Sequence, residues 1–118
     1  KDVSKSKVLV LGVTFKEDVT DIRNSKVADL VKELISYGVN VEVYDPHAKS
    51  DEIRHEYGFP LVDKPGNNYD AIIVAVSHKE FLNYDEKYFT SLSAPNGLVV
   101  DVKGILRNKI KNLAYWSL

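Results

Sequence analysis

The sequence contains no cysteine among its 118 residues. This absence excludes disulfide bonds, thiolate metal sites and a covalent thiol mechanism within the chain. An excess of either charge is also missing, because 16 basic residues offset 17 acidic ones. No summed field therefore attracts nucleic acid or an anionic membrane. Any anionic ligand must be held by a few local groups.

Long hydrophobic runs are missing as well. The two longest, residues 7–13 and 71–76, are far below the roughly 18 residues that span a bilayer. The first residues do not form a signal-peptide pattern. We therefore expect no membrane segment and a cytoplasmic location. With 44% apolar residues the chain can build one hydrophobic core, so residues 1–118 are predicted to form a single domain.

Several apolar runs indicate strands. Residues 8–11 and 71–76 are continuous and rich in β-branched side chains, as is typical of strands buried on both faces of a parallel sheet. Residues 41–44 and 98–101 are shorter examples of the same pattern. The segment Pro95-Asn96-Gly97 is interpreted as a turn.

Amphipathic segments alternate with these strands. Residues 27–35 have the apolar spacing of a helix packed by one face, with Asn24 or Ser25 as its N-cap. Residues 51–57 are predicted to be a second helix, and residues 79–92 to be helical in part. Strands that alternate with helices through long connections imply βαβ crossovers. The predicted fold class is α/β, a Rossmann-like three-layer sandwich with a mostly parallel sheet.

In such sheets ligands bind outside the carboxyl ends of the strands, near the point where strand order reverses. The loop after the first predicted strand has a single glycine, Gly12, so it lacks the G-x-G-x-x-G fingerprint that grips a dinucleotide. Its Lys16 and Arg23 could hold a phosphate instead. In the alternative interpretation Lys16 is solvated, and Arg23 pairs with Asp18 or Asp21 to pin the loop.

Acidic and imidazole side chains follow the next strands. Asp45 occupies the position of the acid that binds a ribose hydroxyl in dinucleotide folds, although an Asp that ends a strand before a proline turn is equally compatible. His47, His55 and His78 have no metal-ligand spacing, so no metal site is predicted. His78 is a candidate for the wall of a ligand pocket.

A third place at the same edge is Asp101-Val102-Lys103-Gly104. Lys103 can act as a point charge toward phosphate, or it can be a turn lysine in water. We expect Lys16, Arg23 and Lys103 to converge on one edge of the sheet. The pattern predicts an anion site and leaves its ligand open.

These residues carry a specific likeness to a known family. Residues 12–25, Gly-Val-Thr-Phe-Lys-Glu-Asp-Val-Thr-Asp-Ile-Arg-Asn-Ser, resemble the G-x-[AT]-F-K-x-x-x-x-D-x-R-x-S motif of the UDP-glucose/GDP-mannose dehydrogenase family. That motif opens the family's C-terminal, UDP-sugar-binding domain. The resemblance continues through the 43–46 strand end, the 71–78 strand and the 101–104 turn, so it covers nearly the whole chain.

The resemblance implies an activity and a set of roles. In that family a nucleotide sugar is oxidised twice at C6 by two NAD molecules, through a thiohemiacetal on a catalytic cysteine. It implies that Phe15, Lys16 and Lys103 contact the UDP-sugar, and that Arg23 reaches across an interdomain cleft to bound NAD. Lys103 in its Asp-Val-Lys-Gly context, with residues 115–118, is more similar to the branch that acts on UDP-N-acetyl-hexosamines for surface polysaccharides.

Two parts of a complete enzyme are absent from the sequence. Without a G-x-G-x-x-G loop and a cysteine, the NAD-binding domain and the thiol nucleophile must belong to other residues of a longer parent, and no catalytic residue is assigned here. The start at Lys1 agrees with a piece of a longer protein. The parent is expected to be an NAD-dependent dehydrogenase and a homo-oligomer, with a UDP-sugar as its partner.

Two other functions compete with this interpretation. One is a stand-alone nucleotide-binding module without a catalytic partner. The other is a phosphoacceptor receiver domain that uses Asp45 and Lys103. A receiver needs acids directly after the first strand to bind Mg²⁺, and Gly12-Val13-Thr14 is found there instead.

Overall fold

A computed structural model describes residues 5–14 and 16–117 of the chain. Its described strands form one five-stranded sheet in the order β2-β1-β3-β4-β5, and every neighbouring pair is parallel. The strands are β1 (Lys7–Leu11), β2 (Asn40–Tyr44), β3 (Tyr69–Val74), β4 (Ser93–Asp101) and β5 (Ala114–Ser117). The first four agree with the predicted runs, whereas the sequence pattern did not indicate β5.

In the part of the chain that the structure describes, four helices lie between successive strands from β1 to β4. They are α1 (Lys26–Ser36), α2 (Ser50–Tyr57), α3 (Lys79–Leu82) and α4 (Glu86–Leu92). Ser25 is the N-cap of α1, because its hydroxyl accepts a hydrogen bond from the Ala28 N–H at 3.0 Å. The region predicted to be only partly helical is divided at Asn83, and Asp85 caps α4 by accepting from the Tyr88 N–H at 2.8 Å.

The helices cover both faces of the sheet, and each face has its own apolar core. One core combines Val8 and Val10 of β1 with Val31 of α1 and Ile53 of α2. The other combines Leu9 of β1 with residues of α3 and α4, including Phe81 and Phe89. Successive strand residues point to opposite faces, which explains why β1 is apolar throughout. The predicted α/β, three-layer class with a parallel sheet is confirmed.

The turn predicted at Pro95-Asn96-Gly97 is corrected by the structure. Ser93 pairs with Tyr69 and Leu98 with Ala71, so residues 94–97 form an irregularity inside β4 and do not connect two elements. Pairing with β3 on both sides of these residues keeps them within the strand. The turn-forming residues therefore mark a bulge.

The strand order reverses beside β1, since the chain passes from β1 to β2 on one side and then returns to β3 on the other. The loops after β1 and β3 are in close contact at this switch point. Gly12 has a φ of 96°, and a Cβ atom there would lie 2.6 Å from the Cβ of Val76. Only glycine fits this approach without a shift. Among the described residues, no helix has both the length and the apolar character needed to cross a bilayer.

Candidate functional site

A cavity of about 340 Å³ opens beside the switch point, at the edge where the sequence predicts a ligand site. Its walls come from the loops after β1, β3 and β4 and from the start of α1. The lining residues are Thr14, Lys16, Glu17, Asn24, Lys26, Val27, Ala75, Val76, Val102 and Lys103. Three of these side chains are lysines and one is a glutamate, so the cavity is basic although the chain as a whole is nearly neutral.

The structure brings together two of the predicted ligand residues. Lys16 follows β1 and Lys103 follows β4, and both are exposed and line this cavity. Lys26, the first residue of α1, lines it as well and was missed by the sequence interpretation. Its position directly after the capping Ser25 was the available signal, since the start of a helix that follows a strand-end loop faces the ligand edge. Phe15 lies outside the described residues.

Arg23 is located elsewhere, which corrects the expectation that three basic residues converge. It forms a bidentate ion pair with Asp21, with Nε 3.0 Å from Oδ1 and an Nη 3.1 Å from Oδ2. The hydrogen bond from Arg23 holds the pKa of Asp21 below its ordinary value. Arg23 borders a separate depression along α2. The Tyr57 hydroxyl of α2 donates to the Ile22 carbonyl, which ties the residue before Arg23 to α2.

Asp45, the residue considered for ribose binding, has a fully buried side chain. Its Oδ2 accepts from the N–H groups of Val13 and Thr14, at 2.7 and 3.1 Å, and its Oδ1 accepts from the His47 N–H at 2.7 Å. Oδ2 also lies 3.0 Å from Nε2 of His78. Burial opposes ionisation, but these hydrogen bonds outweigh it and lower the pKa of Asp45. The carboxylate is committed to the protein and is not available for ribose.

The same burial decides against the receiver interpretation. A phosphoacceptor must reach solvent to receive a phosphoryl group, whereas the side chain of Asp45 is 0% exposed. Its oxygens are occupied by loop N–H groups and by His78. The role that remains is that of a carboxylate which ends β2 and organises the neighbouring loop.

His78 is also fully buried, so the expectation that it lines a ligand pocket is wrong. Its Nδ1 accepts from the Asp18 N–H at 2.9 Å, so this nitrogen carries a lone pair and the ring proton lies on Nε2. Nε2 points toward Asp45 Oδ2 and also lies 3.2 Å from Thr14 Oγ1. His78 therefore connects the end of β3 with the loop after β1.

His47 and His78, which no metal-ligand spacing relates in the sequence, meet in the structure with ring centroids 4.4 Å apart. Ligand atoms of Asp18, His47 and His78 lie within 4.8 Å of one another. However, the lone pair of His78 Nδ1 already accepts the Asp18 N–H, and Asp18 Oδ1 accepts from the Lys79 N–H at 2.8 Å. His47 Nε2 lies 2.9 Å from Glu80 Oε1. We interpret the group as a hydrogen-bonded network that joins three loops.

A second buried carboxylate, Asp101, organises the turn that carries Lys103. Its Oδ1 accepts from the Ile105 N–H at 3.1 Å, and its Oδ2 accepts from the Leu106 N–H at 2.7 Å and from the Tyr115 hydroxyl at 2.5 Å. The backbone after β4 is thereby held at the cavity edge. Lys103 extends from this turn as an exposed charge.

A parallel sheet with a basic cavity at its switch point is the arrangement in which open α/β domains bind their ligands. Over residues 9–108 the sequence matches the UDP-glucose/GDP-mannose dehydrogenase family, UDP binding domain, and the chain belongs to this family. The family that the sequence motif predicted is confirmed.

Individual relatives agree with this assignment. The chain is 40% identical over 105 residues to a UDP-N-acetyl-D-glucosamine 6-dehydrogenase of Pseudomonas aeruginosa, with 88% of the chain and 25% of the relative covered. The values for the Salmonella typhi protein of the same name are 40% over 106 residues, 89% and 25%. The chain thus spans about a quarter of the length of these relatives.

Among solved structures, the fold is shared with an NDP-N-acetyl-D-galactosaminuronic acid dehydrogenase from Methanosarcina mazei. The TM-score is 0.77 at 23% identity, and the match covers 99% of this chain and 25% of the other. At this level of identity the likeness concerns the fold alone. It covers β5 as well as the strands that the sequence predicted.

Proposed function

We propose that residues 1–118 form the C-terminal, UDP-sugar-binding domain of an NAD-dependent nucleotide-sugar 6-dehydrogenase. The parent enzyme oxidises a UDP-hexose, specifically a UDP-N-acetyl-hexosamine, to its uronic acid. Membership of the family supports a uridine nucleotide as ligand. The names of the relatives, which are UDP-N-acetyl-D-glucosamine 6-dehydrogenases, support the N-acetylated sugar.

The observation that carries the proposal is the meeting of Lys16 and Lys103 in one cavity at the switch point. A UDP-sugar has a diphosphate at its centre, and two ammonium groups from different loops can contact it from two sides. Lys26 adds a third positive charge at the start of α1, where helix N–H groups also favour anions. Phe15 is proposed to contact the same substrate, as the family motif implies.

The cofactor belongs to the same proposal. NAD is bound mainly by a domain outside this chain, and Arg23 reaches it across the cleft between the domains. The exposure of the Arg23 side chain, 81%, supports this role because a contact to another domain requires a side chain that leaves its own surface. No residue of this chain is proposed to be catalytic. The parent is proposed to be a cytoplasmic homo-oligomer whose product enters surface polysaccharide synthesis.

Isothermal titration calorimetry of the 118-residue chain tests the proposal. UDP and UDP-N-acetylglucosamine are the ligands, GDP is the control with the same diphosphate, and NAD is the control for the cofactor. We expect saturable heat with the two uridine ligands and much less with GDP or NAD. ¹⁵N chemical-shift changes confined to the loops after β1 and β4 would locate the ligand. The proposal would be contradicted if neither the folded chain nor the parent enzyme bound uridine ligands.

A further inference from the structure

We propose that His78, held by Asp45, is a positioning residue that sets the backbone of Lys16 for substrate binding. The inference rests on the proposed function of Lys16. His78 is not one of the cavity-lining residues and its side chain is 0% exposed. Any effect on the ligand must therefore pass through the loop after β1.

A chain of hydrogen bonds leads from the core to the backbone of Lys16. The Nε2–H of His78 lies between Asp45 Oδ2, at 3.0 Å, and Thr14 Oγ1, at 3.2 Å. Since Thr14 Oγ1 receives this contact, its own proton is free to be donated to the Lys16 carbonyl, which lies 2.9 Å away. The carbonyl of the substrate-binding lysine is thus connected through one hydroxyl to the buried imidazole.

The other ring nitrogen holds the loop on the far side of Lys16. Nδ1 accepts from the Asp18 N–H at 2.9 Å, and the Asp18 carboxylate accepts from the Lys79 N–H at 2.8 Å. Asp18 has a φ of 59°, a left-handed conformation that is uncommon outside glycine and that Asp adopts more readily than most residues. His78 therefore contacts the loop on both sides of Lys16.

Burial gives these bonds their effect. Both side chains of the Asp45–His78 pair are 0% exposed, so water does not compete for their donors and acceptors. A lysine side chain is long and flexible, and the surrounding protein can restrict mainly the direction in which it leaves the backbone. A loop fixed before the ligand arrives reduces the ordering that binding requires. Lys16 should consequently bind more weakly when its carbonyl is released, although its charge is unchanged.

Two substitutions of His78 separate its two contacts. His78→Gln can keep a donor near the position of Nε2 and loses the acceptor for Asp18, whereas His78→Asn can keep that acceptor and loses the donor. Thr14→Val removes the hydroxyl and retains the side-chain shape, and Thr14→Ser restores a hydroxyl. His55→Gln is the control, because His55 is an exposed histidine of α2 outside the cavity.

The decisive measurement is a double-mutant cycle in which Lys16→Ala is combined with each Thr14 or His78 variant. The Kd for UDP is measured by calorimetry. Thr14→Val and His78→Asn are expected to weaken binding roughly three- to tenfold, the range of one lost neutral hydrogen bond. In either background Lys16→Ala should cost clearly less than in the wild-type chain. Thr14→Ser should restore most of the affinity, and His55→Gln should not change it.

A Lys16→Ala effect of equal size in all backgrounds would overturn the proposal, because a merely structural or direct-contact role of Thr14 or His78 adds independently. If a His78 variant does not fold, the two Thr14 variants carry the test. If neither the wild-type chain nor the parent enzyme binds UDP, the proposed function fails, and amide hydrogen exchange decides the positioning role separately. Faster exchange at Lys16 and Asp18 in Thr14→Val than in Thr14→Ser supports it, and equal rates contradict it.

Discussion

At the scale of single residues, Lys16 and Lys103 carry the same charged group, but different buried side chains hold the loops from which they extend. Lys16 follows β1 in a loop tied to Asp45 and His78, and Lys103 follows β4 in a turn tied to Asp101. Among the described residues neither lysine forms an ion pair with an acid, in contrast to Arg23, which is paired with Asp21. Their charges are thus directed to the cavity that they share.

Replacing either lysine by alanine should weaken UDP binding. We expect Lys16→Ala and Lys103→Ala each to cost about 1 to 3 kcal/mol, the range of a charge-assisted hydrogen bond to phosphate. Calorimetric titration with UDP measures the loss. Lys87→Ala, on the exposed side of α4 and outside the cavity, is the matched control. Unchanged affinity in both variants would remove the lysines from the site.

The buried Asp45 should contribute strongly to stability. Asp45→Asn keeps the size of the side chain but replaces one accepting oxygen by an NH₂ group that faces N–H donors. We expect the free energy of unfolding to fall by about 2 to 3 kcal/mol, as for a lost buried hydrogen bond to a charged group. Urea unfolding at neutral pH measures this. Asp51→Asn, at an exposed site in the first turn of α2, should change it far less.

The contribution of Asp45 should also depend on pH. Its pKa in the folded chain is lowered from 3.8, so the carboxylate stabilises the fold at every pH above the unfolded pKa. The stabilisation is lost as the pH falls through the lower, folded-state pKa. The difference in unfolding free energy between wild type and Asp45→Asn should be constant from pH 7 to about pH 5 and shrink below about pH 4. A difference that grows on acidification would contradict this assignment.

At the scale of elements, carboxylates at two strand ends perform the same task. Asp45 directly follows β2 and binds the backbone of the loop after β1. Asp101 ends β4 and binds the backbone of its own following turn. Each of these loops carries one lysine of the cavity. The two carboxylates therefore hold the backbone of the loops that carry the lysines, and they do not pair with the lysine ammonium groups.

The approach to β5 depends on a single acidic side chain of α4. Oε2 of Glu86 accepts from three consecutive N–H groups, those of Lys111, Asn112 and Leu113, at 3.0, 2.6 and 2.9 Å. The hydrogen bonds from Leu113 and Asn112 hold the pKa of Glu86 below its ordinary value. These contacts join the last connection of the chain to the helix layer.

Glu86→Ala should loosen β5 and leave the other four strands intact. We expect faster amide hydrogen exchange at residues 111–117 with little change in β1 and β3, because β5 lies at the edge of the sheet and β4 is its one neighbour among the described strands. Glu56→Ala on the exposed face of α2 is the control. Equal protection of residues 111–117 in wild type and Glu86→Ala would show that the strand does not need this tether.

The elements also show how far the sequence could predict the fold. The apolar runs predicted β1, β3 and β4 because central strands are buried on both faces, and a shorter run predicted the edge strand β2. Capping residues predicted the start of α1. In contrast, β5 has exposed positions at Ala114 and Trp116 and lies at the edge, so its pattern was too weak to recognise. The Pro95-Asn96-Gly97 segment was misread because a bulge and a turn use the same residue types.

At the scale of the whole molecule, the strand order creates the site. The chain leaves β1 for one side of the sheet and returns to the other, so that the loops after β1 and β3 border a crevice. Gly12 and Val76 meet at its base, where a Cβ on Gly12 would be 2.6 Å from the Val76 Cβ. Packing at this contact limits how closely the two loops can approach.

Gly12→Ala should therefore be costly in a way that Gly58→Ala is not. Both glycines have positive φ, 96° and 88°, so either alanine meets about 1 to 2 kcal/mol of backbone strain. Only Gly12 adds a steric conflict, since nothing lies within 4 Å of a Cβ on Gly58. We expect Gly12→Ala to lower the unfolding free energy by about 1 to 3 kcal/mol more than Gly58→Ala, measured by urea unfolding. An equal decrease in unfolding free energy for both variants would mean that the loops after β1 and β3 can move apart without destabilising the fold.

The sequence by itself determined the α/β class, four of the strands, the family motif and the two strand-end lysines that line the cavity, because periodicity and short motifs are local properties of the chain. Only the tertiary structure decided which side chains meet. Asp45 and His78 are 33 residues apart in sequence and are joined by a buried hydrogen bond. Arg23, in contrast, pairs with its near neighbour Asp21 and borders a separate depression along α2. Such contacts arise when the strand order brings separate loops to one edge of the sheet, and burial then turns apparent ligand residues into supports of the loop.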